Sequence, residues 1–530
     1  MEERLSIINS IFQQDVEINL LETFKFTENG FCGSIKLDAS PKDSLLFDVI
    51  IQKNYPFLDC GAKSSKYFCK NVSGILHINE DRSVCLVVPK SADLTTRLLI
   101  EIEKLKEWRD KYYIRNEKDE KYDYLIVPNQ NDTTFLFTDI KTTFVKDDFG
   151  IFEAVEWKPS EKGNGYYYIT KINNTSCEWS KRIHSQPTIV KGFYYFLGRE
   201  PIGKGNISFE NWAELNKAFN QKFAERLYKL KKNKNELLSI LIGYNLPNTD
   251  EIHWQAIVVQ TNHIPIKSIR KATNYYEFRF EDCKIQWAKA INISPMRFFG
   301  RGATTKKLQE SNILIIGCGA IGSSLGKILA RGGCKFIDFS DFENIEPGNI
   351  CRSEYFLTQS GNFKALSLIL QLNMISPFIE SQFRYIEKDI STESKRKQKE
   401  ELNHYDYIFD CSSDDELCIY LDSLDLVSTI INISISNKAQ EMVCAIGRST
   451  IWQDVNEIFF ELDHSEKILF YEGTGCWSPT FEASYFDING LLNLAIQNIN
   501  YRLEKQLDLN TFLVKSVERN GYLNLEIIDY

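Results

Sequence analysis

Apolar residues in this chain fall into short runs whose period changes from one end to the other. Ile313–Ile316 is continuously apolar, the composition of a strand buried on both faces. Ser323–Ala330 follows with helical spacing, then the β-rich runs Lys335–Ser340 and His404–Asp410. Strands alternating with helices predict an α/β, Rossmann-like domain over residues 295–530, closed by a long helix at Asp487–Leu503. In the first third, Leu45–Gln52 reads as a strand and Leu98–Tyr112 as a helix of strong helix formers. That predicts an α+β domain over residues 1–115. Between the two, Tyr166–Ile172, Thr188–Leu197 and His253–Gln260 read as strands around one helical segment, Trp212–Leu241. Residues 116–294 are therefore expected to form an intervening α+β linker domain, and they carry no chemical motif.

The apolar run Ile313–Ile316 ends in Gly317, Gly319 and Gly322, in G-x-G-x-x-G spacing before a helix. Such a turn lets backbone approach phosphates, and the helix N-terminus supplies N–H donors. Asp341 closes the second strand nineteen residues after the last glycine, where a ribose-binding carboxylate is expected. Asn349, Arg352 and Lys364 follow. A nicotinamide cofactor needs no such polar series, whereas a triphosphate needs cations on oxygens that become more negative in the transition state. After the strand His404–Asp410 come Cys411, Ser412, Ser413, Asp414 and Asp415, acids at the carboxyl end of a strand where Mg²⁺ could sit. Lys364 could also be a solvated helix cation and Asp414 a helix N-cap.

This ordered series resembles the adenylating domain of the ThiF, MoeB and ubiquitin-activating enzyme family over roughly residues 295–500. The resemblance implies that Gly317, Gly319, Gly322, Asp341, Asn349, Arg352 and Lys364 hold ATP. It implies that Asp414 binds the metal, with Asp415 its neighbour and rival. The family's arginine-rich segment, which reaches the partner subunit's ATP, is matched by Arg297-Phe298-Phe299-Gly300-Arg301. Arg301 is the candidate, Arg297 its rival, and a homodimer is the implied assembly.

The N-terminal third holds Asn54-Tyr55-Pro56-Phe57, then His77-Ile78-Asn79, then Cys85, then the helix at Leu98–Tyr112. This order resembles a ubiquitin-conjugating enzyme core. It implies that Cys85 forms a thioester, that Asn79 supports the oxyanion and that His77 shapes the turn. Ile78 stands where the family has proline, and the gap from Asn79 to Cys85 is short. Thioester relay uses cysteine because thiolate is a strong nucleophile and the product stays reactive. Of the other cysteines, Cys476 lies in Gly473-Thr474-Gly475-Cys476-Trp477-Ser478-Pro479, just before the last helix. Helix entry can lower a thiol pKa. The segment is similar to the late cysteine segment of bacterial ThiF-type conjugation proteins, which makes Cys476 the first acyl acceptor.

At 530 residues the chain is too long for one core and predicts about three domains. No apolar run approaches a membrane span, and the opening residues lack a signal-peptide pattern. Thirteen cysteines without a C-x-x-C pair argue against structural zinc and for a reducing cytoplasm. A net charge of −9 argues against nucleic acid as main partner. The basic run Lys395–Lys399 sits among acids and reads as solvated. Activating and conjugating modules in one chain resemble the fused enzymes of bacterial cyclic-oligonucleotide antiphage (CBASS) operons. That resemblance implies a protein C-terminus as substrate, that of a cyclic-nucleotide synthase, and lysines as acceptors. The alternative is a ThiF-like adenylyltransferase that activates a sulfur carrier without conjugating it.

Overall fold

The computed structural model describes residues 2–40, 43–57, 64–71, 77–79, 81, 83–117, 125–157, 165–204, 207–231, 236–246, 249–273, 275–462, 470–471, 480–481 and 483–530. Cys476, the expected first acyl acceptor, lies outside the described residues. The chain divides into two compact units, Met1–Cys177 with Pro187–Asn292, and Glu178–Gln186 with Ile293–Tyr530.

The first unit begins with an antiparallel meander of Ile18–Thr27, Gly30–Ser40, Asp43–Ile51 and Ser65–Cys69. Side chains alternate across a strand, so Phe31, Ile35 and Leu37 share one face with Leu45, Phe47, Val49 and Ile51, all buried. That face packs on Ile8 and Phe12 of the helix Glu2–Gln14 and on Leu98, Ile102, Leu105 and Trp108 of the helix Leu94–Trp108. The second helix starts earlier than its apolar spacing suggests, because the Asp93 carboxylate accepts from the Thr96 N–H at 2.7 Å and caps it.

A second sheet in this unit runs Gln130–Phe137, Trp287–Asn292, Ile252–Gln260, Leu237–Asn245, Ile189–Phe196, Phe149–Trp157, Tyr166–Ile172 and Thr175–Ser176. Tyr166–Ile172 also pairs in parallel with Gln130–Phe137, which closes the strands into a ring. The helical segment expected over Trp212–Leu241 is overturned at its end. It resolves into a 3-10 turn, Trp212–Asn216, a helix, Gln221–Lys231, and then the strand Leu237–Asn245. Leu238–Tyr244 is buried throughout and hydrogen-bonded to neighbours on both sides. A short run buried on both faces cannot be told from helix by periodicity alone.

The second unit is built on a seven-stranded sheet in the order Phe336–Ser340, Asn312–Ile316, Tyr407–Asp410, Thr429–Ser436, Glu441–Gly447, Phe512–Arg519, Tyr522–Asp529. The first four strands are parallel and the last three join antiparallel. Asn312–Ile316 has Phe336–Ser340 on one side and Tyr407–Asp410 on the other, so the strand order reverses between Asn312–Ile316 and Tyr407–Asp410. Crevices form at the carboxyl ends of strands at such a point. The α/β expectation for the C-terminal region holds. Helices Ala320–Arg331, Lys364–Ile375 and Tyr485–Glu504 cover one core with Ile313, Ile315, Leu325, Leu329, Leu368 and Leu492. The basic run Lys395–Lys399 lies on the helix Thr392–Leu402, where Arg396 pairs with Glu393 and Glu400.

Candidate functional site

At the switch point the strand Asn312–Ile316 turns into the helix Ala320–Arg331 through Gly317, Cys318 and Gly319. Gly317 adopts φ +80, and a Cβ there would lie 2.6 Å from Ser412 Cα. At Gly322 a Cβ would lie 1.9 Å from the Gly317 carbonyl oxygen. The first and third glycines are thus dictated by backbone packed against backbone. Gly319 differs. It caps the helix, and a Cβ built on it meets nothing within 4 Å. The loop therefore keeps open space at the position where helix N–H groups point outward, the geometry of an anion cradle.

Polar side chains hold the loop from both sides. Asp341 Oδ2 accepts from the Cys318 N–H at 2.7 Å, and its Oδ1 accepts from the Glu343 N–H at 2.8 Å. Burial pushes the Asp341 carboxyl up, against the pull of those two bonds and of Lys364. The buried Tyr355 hydroxyl lies 2.7 Å from the Cys318 carbonyl and 3.3 Å from that of Lys364, and donates between them. Lys364 is itself buried, but its ammonium reaches the exposed Glu343 carboxylate at 2.5 Å, a partner that an incoming anion can replace. Across the switch point, Asp410 is almost fully buried, accepts from Ser412 N–H and Oγ at 3.0 and 2.6 Å, and accepts from Asn432 at 3.0 Å. It fixes the turn on which Gly317 packs.

The remaining expected residues are placed as follows. Asn349 and Arg352 lie on the 3-10 turn Pro347–Arg352, where the Asn349 side chain accepts from the Glu346 N–H at 3.0 Å. Two residues past Arg352, the Glu354 N–H donates to Ser323 Oγ at 3.2 Å, tying this turn to the glycine-loop helix. Asp414 caps the helix Asp415–Asp422 by accepting from the Leu417 N–H at 3.1 Å, and its other oxygen pairs with Lys388 at 2.8 Å. Burial raises its pKa, but Lys388 and the Leu417 N–H outweigh that and hold it below the ordinary range. Asp415 is exposed in the first turn of that helix. Arg297 and Arg301 stand exposed at the end of the short helix Pro295–Phe299.

Tyr355, Asp410 and the pair of the buried Lys327 with the part-buried Glu354, at 2.8 Å, were not singled out from sequence. The signals were weak: Asp410 is the one acid ending an otherwise apolar strand, and Lys327 is a cation on the inner face of an apolar helix. Nothing in the pattern around Tyr355 marks it.

Cys85 sits in the first unit on a tight turn. Its N–H donates to the His77 carbonyl at 2.7 Å, and the His77 ring, at φ +60, packs 4.3 Å from the Tyr112 ring. The Asn79 amide lies within 3.1 Å of the Ser83 carbonyl, the Ser83 hydroxyl and the Val84 carbonyl, so it closes the loop directly before Cys85. Asp81 accepts from Ser83 N–H and Oγ and pairs with Lys66 at 2.7 Å. The structure thus brings His77, Asn79 and Cys85 together, with the thiol partly exposed.

Residues 291–423 match the model of the ThiF family. That segment holds the glycine loop, Asp341, Lys364 and Asp414. The chain is similar to the ATP-dependent ubiquitin transferase-like protein Cap2 of Enterobacter hormaechei subsp. hoffmannii (strain UCI 50), with 29% identity over 213 residues. That match covers 38% of this chain and 35% of Cap2, so the chain matches only about a third of the length of this curated relative. Among solved structures, Escherichia coli MccB with ATP is 14% identical, covering 42% of this chain and 64% of MccB, with a TM-score of 0.29. The E. coli tRNA N6-threonylcarbamoyladenosine dehydratase TcdA with AMP is 16% identical, covering 40% of this chain and 93% of TcdA, with a TM-score of 0.29. Among the described residues, no helix is long and apolar enough to cross a membrane.

Proposed function

We propose that the chain is a fused activating and conjugating enzyme of ubiquitin-like transfer, with domain boundaries near residues 115 and 295. The observation that carries the reading is the open cradle at Gly319, flanked by Asp341 and Lys364 at the switch point of a ThiF-family sheet. The helix N-terminus at Gly319 with Asn349, Arg352 and Lys364 would hold the phosphates of ATP, and Asp341 its ribose. A carboxylate at a protein C-terminus attacks the α-phosphorus, and pyrophosphate leaves. The Cys476 thiolate then attacks the acyl carbon and releases AMP. Cys85 takes the acyl group as the Cys476 sulfur leaves, and a lysine amine displaces Cys85 to form an isopeptide bond. The similarity to Cap2 supports a protein substrate, for which we propose a cyclic-nucleotide synthase.

Magnesium would supply charge neutralisation on the phosphates. Asp414 fits it: a hard oxygen donor beside the crevice that already holds one cation, Lys388, against its outer oxygen. Lys388 would yield that place or share it. The homodimer is supported by a stripe of exposed apolar side chains on one helix and the residue before it, Phe363, Leu366, Leu370 and Met374, which solvent alone does not favour.

The test uses the full chain, ATP, Mg²⁺ and the cognate substrate protein on non-reducing gels. Asp341→Ala should lower ATP–pyrophosphate exchange by roughly 10²–10³. Cys476→Ala should keep exchange but form no thioester, and Cys85→Ala should leave a reducible thioester and no lysine product. Unchanged exchange in folded Asp341→Ala overturns the nucleotide assignment. Normal conjugation by Cys85→Ala overturns the conjugating half and leaves the adenylyltransferase that does not conjugate.

A further inference from the structure

Directly after Cys85 the chain runs without regular structure to the helix that starts at Leu94. Among the described residues, the Val88 and Pro89 carbonyls accept from the Arg97 guanidinium, at 3.3 Å to Val88, while nearer the helix Ser91 Oγ bonds the Asp93 backbone. Arg97 is held in turn. Its Nε donates to Glu101 at 2.9 Å, one helical turn on, and the Glu101 side chain is 1% exposed. The second Glu101 oxygen accepts from Ser65 Oγ at 2.5 Å and from the Tyr67 hydroxyl at 3.2 Å, both on the strand Ser65–Cys69. Tyr67 also takes the Val84 N–H on its carbonyl at 2.9 Å. The chain on both sides of Cys85 is therefore referred to one pair, the buried Glu101 carboxylate and the part-buried Arg97 guanidinium.

A carboxylate this deeply buried is costly and survives by its partners, and a well-packed apolar pair would stabilise the same helix–sheet contact as well. What an apolar pair cannot do is place one guanidinium nitrogen, Nη1, on two successive carbonyls while Nε holds the carboxylate. We propose that Arg97, oriented by Glu101, is a positioning residue for the Cys85 reaction: it sets the path of residues 86–89 and with it the direction from which Cys85 meets an acyl carbon. This rests on the reading of Cys85 as acyl acceptor. In the step concerned, a bond forms between Cys85 Sγ and the acyl carbon. The bond from that carbon to the donor sulfur breaks, and the donor leaves as thiolate.

The experiment compares two probes on the full chain, read by mass spectrometry of the Cys85 peptide. One is the acetyl thioester of mercaptoethanesulfonate, a trigonal acyl donor with a directional approach. The other is iodoacetamide, which reports only thiolate and access. Arg97→Gln should slow acetyl transfer to Cys85 about tenfold while alkylation stays within about twofold, because misplacement penalises the directional step. Arg97→Lys should recover part of the loss, and amide exchange over residues 84–92 should be faster in Arg97→Gln. Should Arg97→Gln fail to fold, Glu101→Gln replaces it with the same expectation. Equal rates for both probes in variant and parent, or a parallel fall in both, overturn the positioning role. If the parent acetylates Cys85 no faster than Cys32 and Cys69 of the same unit, the reading of Cys85 is overturned first, and this inference with it.

Discussion

The glycine cradle of residues 317–322 and the Cys85 turn of residues 77–89 are both sharp reversals next to a strand, but different forces shape them. In the cradle, backbone lies against backbone, and a single methyl group at Gly317 or Gly322 has no place to go. Among the described residues of the Cys85 turn, His77 has a positive φ, and side chains hold the path: Asn79 to three acceptors, Asp81 to Ser83 and Lys66, Arg97 to Val88 and Pro89. A sterically enforced loop is rigid and binary under mutation. A loop held by hydrogen bonds is graded and responds to charge and pH. That difference fits the roles proposed above, a cradle for one fixed ligand and a thiol turn for successive partners.

The largest effects should come from the cradle, and they should separate by position. Gly317→Ala places a Cβ 2.6 Å from Ser412 Cα at φ +80. It should destabilise the second unit by about 3 kcal/mol and abolish pyrophosphate exchange. Gly319→Ala has open space and negative φ, so stability should change by no more than about 0.5 kcal/mol. Exchange should still fall, by roughly 10²-fold, because the methyl group enters the phosphate space. Urea unfolding beside exchange assays measures both. A Gly319→Ala protein that exchanges normally would remove the functional distinction between the two glycines.

The Cys85 turn should answer in smaller steps. Asn79→Ala loses the donors facing the Ser83 and Val84 carbonyls and should cost about 1 kcal/mol and at least roughly tenfold in lysine transfer. Asn79→Asp keeps the shape but turns an acceptor onto those carbonyls, so it should be the worse of the two. If Asn79→Asp matches the parent in thermal unfolding and transfer, the amide donors are not what holds the loop.

The same contrast explains what could be read from residue order. The cradle was legible because sterics restrict identity: only glycine fits at 317 and 322, so spacing alone located the loop, and strand, helix and Asp341 fell in order around it. Also legible in the second unit were the strands Asn312–Ile316, Phe336–Ser340 and Tyr407–Asp410 and the helices Ala320–Arg331 and Tyr485–Glu504, the first of them from a continuous apolar run. The supports were not legible. Tyr355 reaches Cys318 from thirty-seven residues away in sequence and Glu101 reaches Ser65 from thirty-six, and neither position departs from an ordinary helix or turn pattern. The ring of strands over residues 130–292 was legible only in part, since Leu237–Asn245 is apolar on both faces and its type is decided by two neighbouring strands.

The smallest effect, and the one that tests whether the Cys85 turn is held by charge, concerns Asp81. Burial raises its pKa, but the bonds from Lys66 and Ser83 outweigh that and take the carboxyl from an ordinary 3.8 down to about 2. A carboxylate with a lower pKa folded than unfolded adds stability that is fully present above the ordinary value. That stability is lost as pH falls from about 4 toward about 2. The side chain is 39% exposed, so solvent screening cuts the contribution to no more than about 1 kcal/mol, about a fivefold change in local opening. Asp81→Asn removes the charge at every pH. Amide exchange at Ser83 should therefore be about fivefold faster in Asp81→Asn than in the parent at pH 6, and the two should converge only as pH falls to about 2. A ratio that stays constant across that range would mean that Asp81 holds Ser83 by shape alone, and the turn would then be closer in kind to the glycine cradle than its hydrogen bonds suggest.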